Sequence, residues 1–592
     1  MKNNNFRREK MALEKVNSPE DLKKLSREEL IVLAQDIRDA MLHRVSNKGG
    51  HVGPDFGAVE LIIALHKVFN SPVDKFVFDV SHQCYPHKII TGRKFGFLDL
   101  DRYSEVSGYT NQDESEHDFF KIGHTSTSVS LATGLAKARD LRGVKENIIA
   151  IIGDGSLSGG EAFEGLNVAS ELNTNMIIIA NDNDMSIAEN HGGLYKNLRE
   201  LRESNGQAQN NYFKSLGLDY IYVDKGNDLE ALIEVFEKVK DINHPIVVHV
   251  HTQKGKGLPY AEKDKETWHY GMPFDPETGE KRNSYSGGLS NDTAEFLMDK
   301  MEKDSTVAVV TSGTPTVLGF TKDRREKFAK QFIDVGIAEE QAVAMISGMA
   351  KNGGKPIYGV FSTFIQRTYD QLSQDLAINN NPATILIFGG GLGGMSDVTH
   401  LCWFDISLVS NIPNIVFLAP TSKEEYFAML DWSIEYKGHP VAIRVPSQLS
   451  EDTGNVQKDF SDLNKYLVTE KGKDVAILGL GNFYKLGKEV KELLKENGID
   501  ATLINPRYAS GIDETLLNKL KAEHKLVVTL EDGVIDGGFG EKIARFYGTS
   551  DMKVLNYGIK KEFTDRVAPD VAFKSNRLTK EQIVEDILKI VK

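Results

Sequence analysis

The sequence predicts an α/β protein of three domains, each with a mostly parallel sheet flanked by helices. Three observations carry that expectation. Short apolar runs rich in β-branched residues recur along the chain: NIIAIIG and MIIIAND early, TVAVVTSG, PIYGVF, ATILIF and VAIRVP in the middle, DVAILGLG, ATLINP and KLVVTL late. Uninterrupted apolar strands suit sheets covered on both faces, and the helical stretches between them supply the crossovers. Two polar joints, EKRNSYSGGLSNDT and SQLSEDTGNVQKDFSD, divide the runs into three groups. The 592 residues, 40% hydrophobic, exceed one core and suffice for several.

Taken in order, residues 1–18 read as a polar lead-in. SPEDLKKLSREELIVLAQDIRDAML then carries two Ser-started helices with an apolar stripe. The first domain is expected over 19–283, a linker over 284–297, a second domain over 298–450 and a third over 451–592.

The net charge of −14 and the absence of a basic arm argue against nucleic-acid binding. The start MKNNNFRREKMALEKV has no apolar signal segment, and no run of 18 apolar residues follows, so a cytoplasmic location without membrane contact is expected. Cys84 and Cys402 sit in no CxxC or zinc spacing and read as reduced core thiols.

The run IIAIIGDGS is followed by MIIIANDND, placing Asp154 and Asn183 29 positions apart, each just past an apolar strand. A strand, a turn, a helix from Gly159 to about Leu172 and a second parallel strand would deliver both to one carboxyl edge. Two hard oxygen ligands there suit Mg²⁺, which takes few protein ligands and completes its octahedron with phosphate and water. Gly153 and Gly155 flank the Asp and let backbone approach an anion. A GDG after a buried strand has a plainer reading as a turn. Glu339, after the strand FIDVGI, also reads two ways, as a complement to the helix dipole or as a cofactor-activating acid.

GDG, 25 residues and then NDN resemble the thiamine diphosphate motif, in which the Asp, the Asn and a main-chain carbonyl two residues on, here Met185, hold the metal. The stretches GGHVGPDFGAVELIIALH, DVSHQCYPHKIITGR, GHTSTSVS, GDGSLSGGEAFEGLN, NDNDMSIAEN, DVGIAEEQAV, FSTFIQRTYDQ and THLCWFDIS span nearly the whole chain. In them it resembles the 1-deoxy-D-xylulose-5-phosphate synthase family, thiamine-diphosphate enzymes of the transketolase superfamily. That resemblance implies a transketolase-like fold and a homodimer. It implies metal binding by Asp154, Asn183 and the Met185 carbonyl, and cofactor contacts from His82, His124, Gly153, Gly155, Ser156, Asn183, Glu339 and Phe364. Catalytic roles fall to Glu339, His51, His269, His400 and Arg367, with His51, His269 and His400 as proton carriers. A lone histidine is otherwise a satisfied structural residue, and Arg367 otherwise a helix-surface charge.

Departures bear on the substrate. Where the family has Asp-Arg-Ala-Gly, this chain has Phe388-Gly389-Gly390-Gly391, so the Arg becomes Gly389; a second family Arg falls at Ser447. The family's active-site Tyr and Asp fall at Phe361 and Ser396, its His at Gln341, and the stretch between His191 and Asn227 is shorter, which would open the site's mouth. In the family both arginines grip the acceptor's phosphate. Two lost charged hydrogen bonds amount to about 3–6 kcal/mol, on the order of 10²- to 10⁴-fold in affinity. Lys254, Lys256, Arg444 and His400 are candidate substitutes, or else solvated loop and sheet-edge charge. The expected activity is therefore decarboxylation of pyruvate, a 2-keto donor, and addition of its two-carbon unit to an aldehyde such as glyceraldehyde 3-phosphate. A transketolase-like ketose donor, an acceptor without phosphate, and a catalytically silent paralogue are the alternatives. GLGNFYKLG, after DVAILGLG, lacks dinucleotide spacing and reads as a strand-to-helix turn.

Overall fold

Residues 11–282, 288–447, 449–450 and 456–592 are described by the structure, a computed structural model. They fall into two compact units, one running to residue 286 and including 336–338, the other holding 287–335 and 339–592.

In the first unit the chain makes β1 (Gly50–His51), β2 (Lys75–Phe78), β3 (Ile148–Gly153), β4 (Met176–Asp182), β5 (Asp219–Val223), β6 (Pro245–His251) and β7 (Tyr270–Gly271). Five of them form a parallel sheet in the order β2-β3-β4-β6-β5, and β1 pairs antiparallel with β7. The two-residue period of β3 explains why the sheet is covered twice. Ile149 and Ile151 join one core with Val45, Phe56 and Phe236, whereas Ile148, Ala150 and Ile152 join another with Val129, Leu166 and Leu198. Both Ser-started helices form: Ser18 caps Pro19–Lys23, and Ser26 caps Arg27–Lys48 in a full capping box with Glu29.

The second unit holds a six-stranded parallel sheet and a five-stranded one. The first is built from β8 (Val307–Thr311), β9 (Phe332–Asp334), β10 (Lys355–Phe361), β11 (Thr384–Phe388), β12 (Val416–Leu418) and β13 (Val441–Arg444), ordered β12-β13-β11-β10-β8-β9. The second is built from β14 (Leu467–Glu470), β15 (Asp474–Gly479), β16 (Thr502–Asn505), β17 (His524–Val534) and β18 (Lys553–Ile559), ordered β14-β16-β15-β17-β18 with only edge strand β14 antiparallel. The expected fold class therefore holds.

Two expectations are corrected. The polar lead-in gives way, from residue 11, to a short helix Met11–Lys15 that buries Ala12 and Leu13, followed by buried Val16. The Leu13 amide donates to Asp36 at 3.0 Å, which fixes the segment to the first long helix; residues 1–10 lie outside the described residues. The expected linker 284–297 is helical from Gly288, within Gly288–Lys303, because Thr293, Ala294, Leu297 and Met301 bury one face at helical spacing. Residues 283–287 of that stretch, and residues 448 and 451–455 near the expected boundary at 450, lie outside the described residues.

Candidate active site

Parallel strands bring their carboxyl ends to one edge, and in the first unit that edge collects polar residues from four strands. Ser81 and His82 follow β2, Asp154 follows β3, Asn183 follows β4, and Thr252 and Lys254 follow β6. Gly153 pairs in register with Asn181, so Asp154 and Asn183 emerge side by side as expected. The intervening helix is Gly160–Ala169.

Asp154 is buried, and its Oδ2 accepts from the Met185 amide at 3.0 Å and from Asn190 Nδ2 at 2.7 Å. Burial, and then the charge of Asp182, hold its carboxyl well above the usual range. Asn183 Oδ1 and Ser186 Oγ are buried polar atoms with no hydrogen-bond partner among the described residues. A Cβ on Gly155 would stand 2.7 Å from Ser186 Oγ, so only glycine allows this close approach, while the space beside Gly153 is open. Unsatisfied oxygens beside an open backbone are what a hard cation and its anionic partner need. Among the described residues no cluster of three His, Cys, Asp or Glu side chains is placed to hold a metal.

Ser156 and His124 belong to a turn organised by buried Asp79. The Asp79 carboxylate accepts from the Ser126 and Ser128 amides at 2.8 and 2.9 Å, and Ser126 Oγ donates to the Ser156 carbonyl at 2.8 Å. Ser126 has φ +75°, the bend that sets half-buried His124 ahead of the helix Ser128–Arg142. His51, His82 and His269 come together, with ring centroids 5.1 Å apart for His51 and His82 and 5.2 Å for His82 and His269. The β1–β7 pairing is responsible, since it matches His51 with Tyr270.

In the second unit, residues after β9, β10, β11 and β13 gather similarly. Glu339 opens the helix Glu339–Lys351, and its buried Oε2 has no hydrogen-bond partner; Arg367 lies 3.7 Å away. Burial pushes this carboxyl up to about 7, with the Arg367 charge opposing. Phe364 stands edge-on to His400 at 5.8 Å and to Phe361 at 6.0 Å. Arg367 is thus no free surface charge, whereas Gln341 is exposed on the helix.

The structure bears on three further readings. Burial holds His269 well below its usual range, helped by the Lys254 charge, and brings His400 down to about 4, which favours the neutral form of both rings. Arg444 is no substitute phosphate anchor. Its Nε donates to Asp405 at 2.7 Å and its Nη1 pairs with Asp532, both buried, while a Cβ on Gly390 would meet its Nε at 2.6 Å. After His191 the helix Gly193–Glu203 buries Tyr195, whose hydroxyl donates to the Asp154 carbonyl at 3.2 Å and so covers this side of the turn.

Lys254, read from sequence as a phosphate contact or solvated loop charge, is instead 1% exposed, with Nζ 2.5 Å from the Ser186 carbonyl and 3.1 Å from His269 Nδ1. Burial brings its ammonium down to about 7. Sequence reasoning missed Asn190, although it lies shortly after the NDND motif, in NDNDMSIAEN.

Known proteins match this chain along most of its length. A 1-deoxy-D-xylulose-5-phosphate synthase family profile matches residues 13–211 and 204–252, a transketolase pyrimidine-binding domain 292–452 and a transketolase C-terminal domain 464–583. A transketolase from Leishmania mexicana has 15% identity and a TM-score of 0.43, covering 95% of this chain and 97% of that one. The 1-deoxy-D-xylulose-5-phosphate synthase of Clostridium beijerinckii is 37% identical over 98% of this chain and 99% of its own length. That of Alkaliphilus oremlandii is 38% identical over 98% and 99%. With its Asp154–Asn183 edge and buried Glu339 inside an end-to-end match of this depth, the chain belongs to the 1-deoxy-D-xylulose-5-phosphate synthase family of thiamine-diphosphate-dependent transferases.

Proposed function

We propose that this protein decarboxylates pyruvate and joins the remaining two-carbon unit to an aldehyde, using thiamine diphosphate held through Mg²⁺. In the balanced reaction the pyruvate C1–C2 bond breaks, CO₂ leaves, a bond forms from C2 to the aldehyde carbon, and the new alkoxide takes up a proton. When bound, the cofactor supplies the electron sink that carries the C1–C2 bonding pair.

The residues fit that group. Asp154, Asn183 and the Met185 carbonyl would hold the metal, with Gly153, Gly155, Ser156, His82 and His124 around the diphosphate. Phe364 offers a ring to the pyrimidine. The observation that carries the reading is Glu339 Oε2, buried, without a hydrogen-bond partner among the described residues, and on a carboxyl that burial pushes up to about 7. Such an acid can hold or release a proton to a ring nitrogen without a large driving force. Lys254 donates to His269 Nδ1, which leaves Nε2 as the protonated nitrogen that can donate to a substrate oxygen. His51 and neutral His400 offer further hydrogen bonds to donor and acceptor oxygens. A homodimer and a cytoplasmic location complete the proposal, with a first domain to about residue 283 and a second that begins with the helix Gly288–Lys303; no helix among the described residues is long and apolar enough to cross a membrane.

Three observations favour an acceptor without a phosphate. Arg444 is saturated by Asp405 and Asp532, Gly389 has φ +71°, and exposed Ser447 binds Asn482 through its own amide at 2.8 Å. Incubation with labelled pyruvate, Mg²⁺, thiamine diphosphate and a panel of phosphorylated and plain aldehydes tests both readings. Labelled CO₂ and a two-carbon-extended product are expected. Release of neither by wild type, or an unchanged rate in Glu339→Ala, would sink the proposal, and preference for glyceraldehyde 3-phosphate would remove the second reading.

A further inference from the structure

Asn183 is flanked by two aspartates, and one guanidinium holds both. Arg202, in the last turn of the helix Gly193–Glu203, places Nη1 2.6 Å from Asp182 Oδ2 and Nη2 2.6 Å from Asp184 Oδ1. Asp182 is otherwise engaged by His249 Nε2 at 2.9 Å and by the Asp184 amide at 3.0 Å. Asp184 stands at φ +56°, a left-handed conformation that L-residues adopt at a cost. The turn carrying Asn183 is therefore strained and doubly anionic, and it keeps its shape only where something holds both carboxylates. Leu198 and Leu201 bury the same helix in the core, so the guanidinium is presented from a fixed base. Its side chain is only 10% exposed.

We propose that Arg202 is the positioning residue for the metal and diphosphate edge. By clamping Asp182 and Asp184 it fixes the turn that aims Asn183 Oδ1, and its one positive charge offsets half of the negative charge that would otherwise repel an incoming diphosphate. This rests on the reading of Asp154 and Asn183 as the Mg²⁺ site. A planar fork is needed, because a lysine ammonium cannot span two carboxylates in fixed geometry.

The test measures binding separately from turnover. For wild type, Arg202→Gln, Arg202→Lys, Asp184→Asn and the exposed control Arg199→Gln, the melting temperature is recorded over titrations of Mg²⁺ at fixed thiamine diphosphate and of thiamine diphosphate at fixed Mg²⁺. Residues that orient metal ligands typically change metal affinity by about 10- to 100-fold. Arg202→Gln is expected to raise half-saturating Mg²⁺ at least about tenfold, Arg202→Lys and Asp184→Asn by less, and Arg199→Gln not at all. Since Asp184 is half-exposed, its variant keeps the test valid should Arg202→Gln fold poorly. Unchanged or lower half-saturating Mg²⁺ in both Arg202→Lys and Asp184→Asn would overturn the inference. No ligand-dependent shift in wild type would instead overturn the underlying site.

Discussion

Glu339 carries a proton-linked penalty that a single substitution exposes. Its carboxyl is raised from 4.5 to about 7 by burial. Between those values the native state binds a proton that the unfolded chain has released, so its contribution to stability falls as pH rises from about 4.5 and the full penalty is present above about 7. The loss amounts to about 3 kcal/mol. Glu339→Gln should therefore melt higher than wild type above pH 7 without cofactor, the difference shrinking towards pH 5, while pyruvate turnover collapses. Calorimetry at a series of pH values checks it, and parallel profiles for the two proteins would refute it. Lys254 works in the opposite sense, from 10.5 down to about 7, so its neutral native form makes stability rise with pH across that interval. Asp154, Asn183 and Glu339 were legible in the sequence because each stands just past an apolar strand. Lys254 was not, since burial of a lysine in the run KGKG depends on packing against Ser186 and His269, which are remote in sequence.

The loop 107–126 is an element held by a buried charge cluster. Asp118 binds Arg93 at 2.6 Å and His87 at 2.9 Å, and Lys88 binds Glu114 at 2.6 Å, all with side chains at most 10% exposed. Despite burial, Arg93 and His87 hold Asp118 well below the carboxylate range. Asp118→Asn leaves two buried cations against one carboxylate, and should destabilise the protein by about 3 kcal/mol, read from urea unfolding midpoints at pH 7. The loop also carries Tyr109, edge-on to His51 at 5.6 Å, so the variant should lose affinity for donor too. A midpoint within 0.5 kcal/mol of wild type would contradict this account, that margin being roughly the scatter of neutral surface changes. Local elements were read well where period and caps agreed, as at Ser26 and β3. They were misread at 288–297, where Ser, Gly and Asn composition outweighed the sparse stripe of Thr293, Leu297 and Met301.

On the scale of the whole molecule, ligand binding should be read as stability. Thiamine diphosphate and Mg²⁺ together at about 100 times their dissociation constant should add roughly 3 kcal/mol, a rise of a few degrees in melting temperature, with either alone giving less. Differential scanning fluorimetry decides this, and equal shifts with and without Mg²⁺ would argue against a metal bridge. Fold class and cofactor edge were legible because strand period and motif spacing are local properties. The engagement of Arg444 was not, because it is set by Asp405 and Asp532 from other parts of the chain.

The glycine run 389–391 has a consequence for protein engineering. A side chain at 389 would sit at φ +71°, one at 390 would strike Arg444, and a Cβ at 391 would fall 1.9 Å from Asp532 Oδ2. Letters borrowed from a relative cannot simply be written into this stretch. A graft that reinstates a cationic grip must carry the whole loop with its supporting strand ends, so this enzyme's selectivity is interchangeable as a module and resists revision one residue at a time.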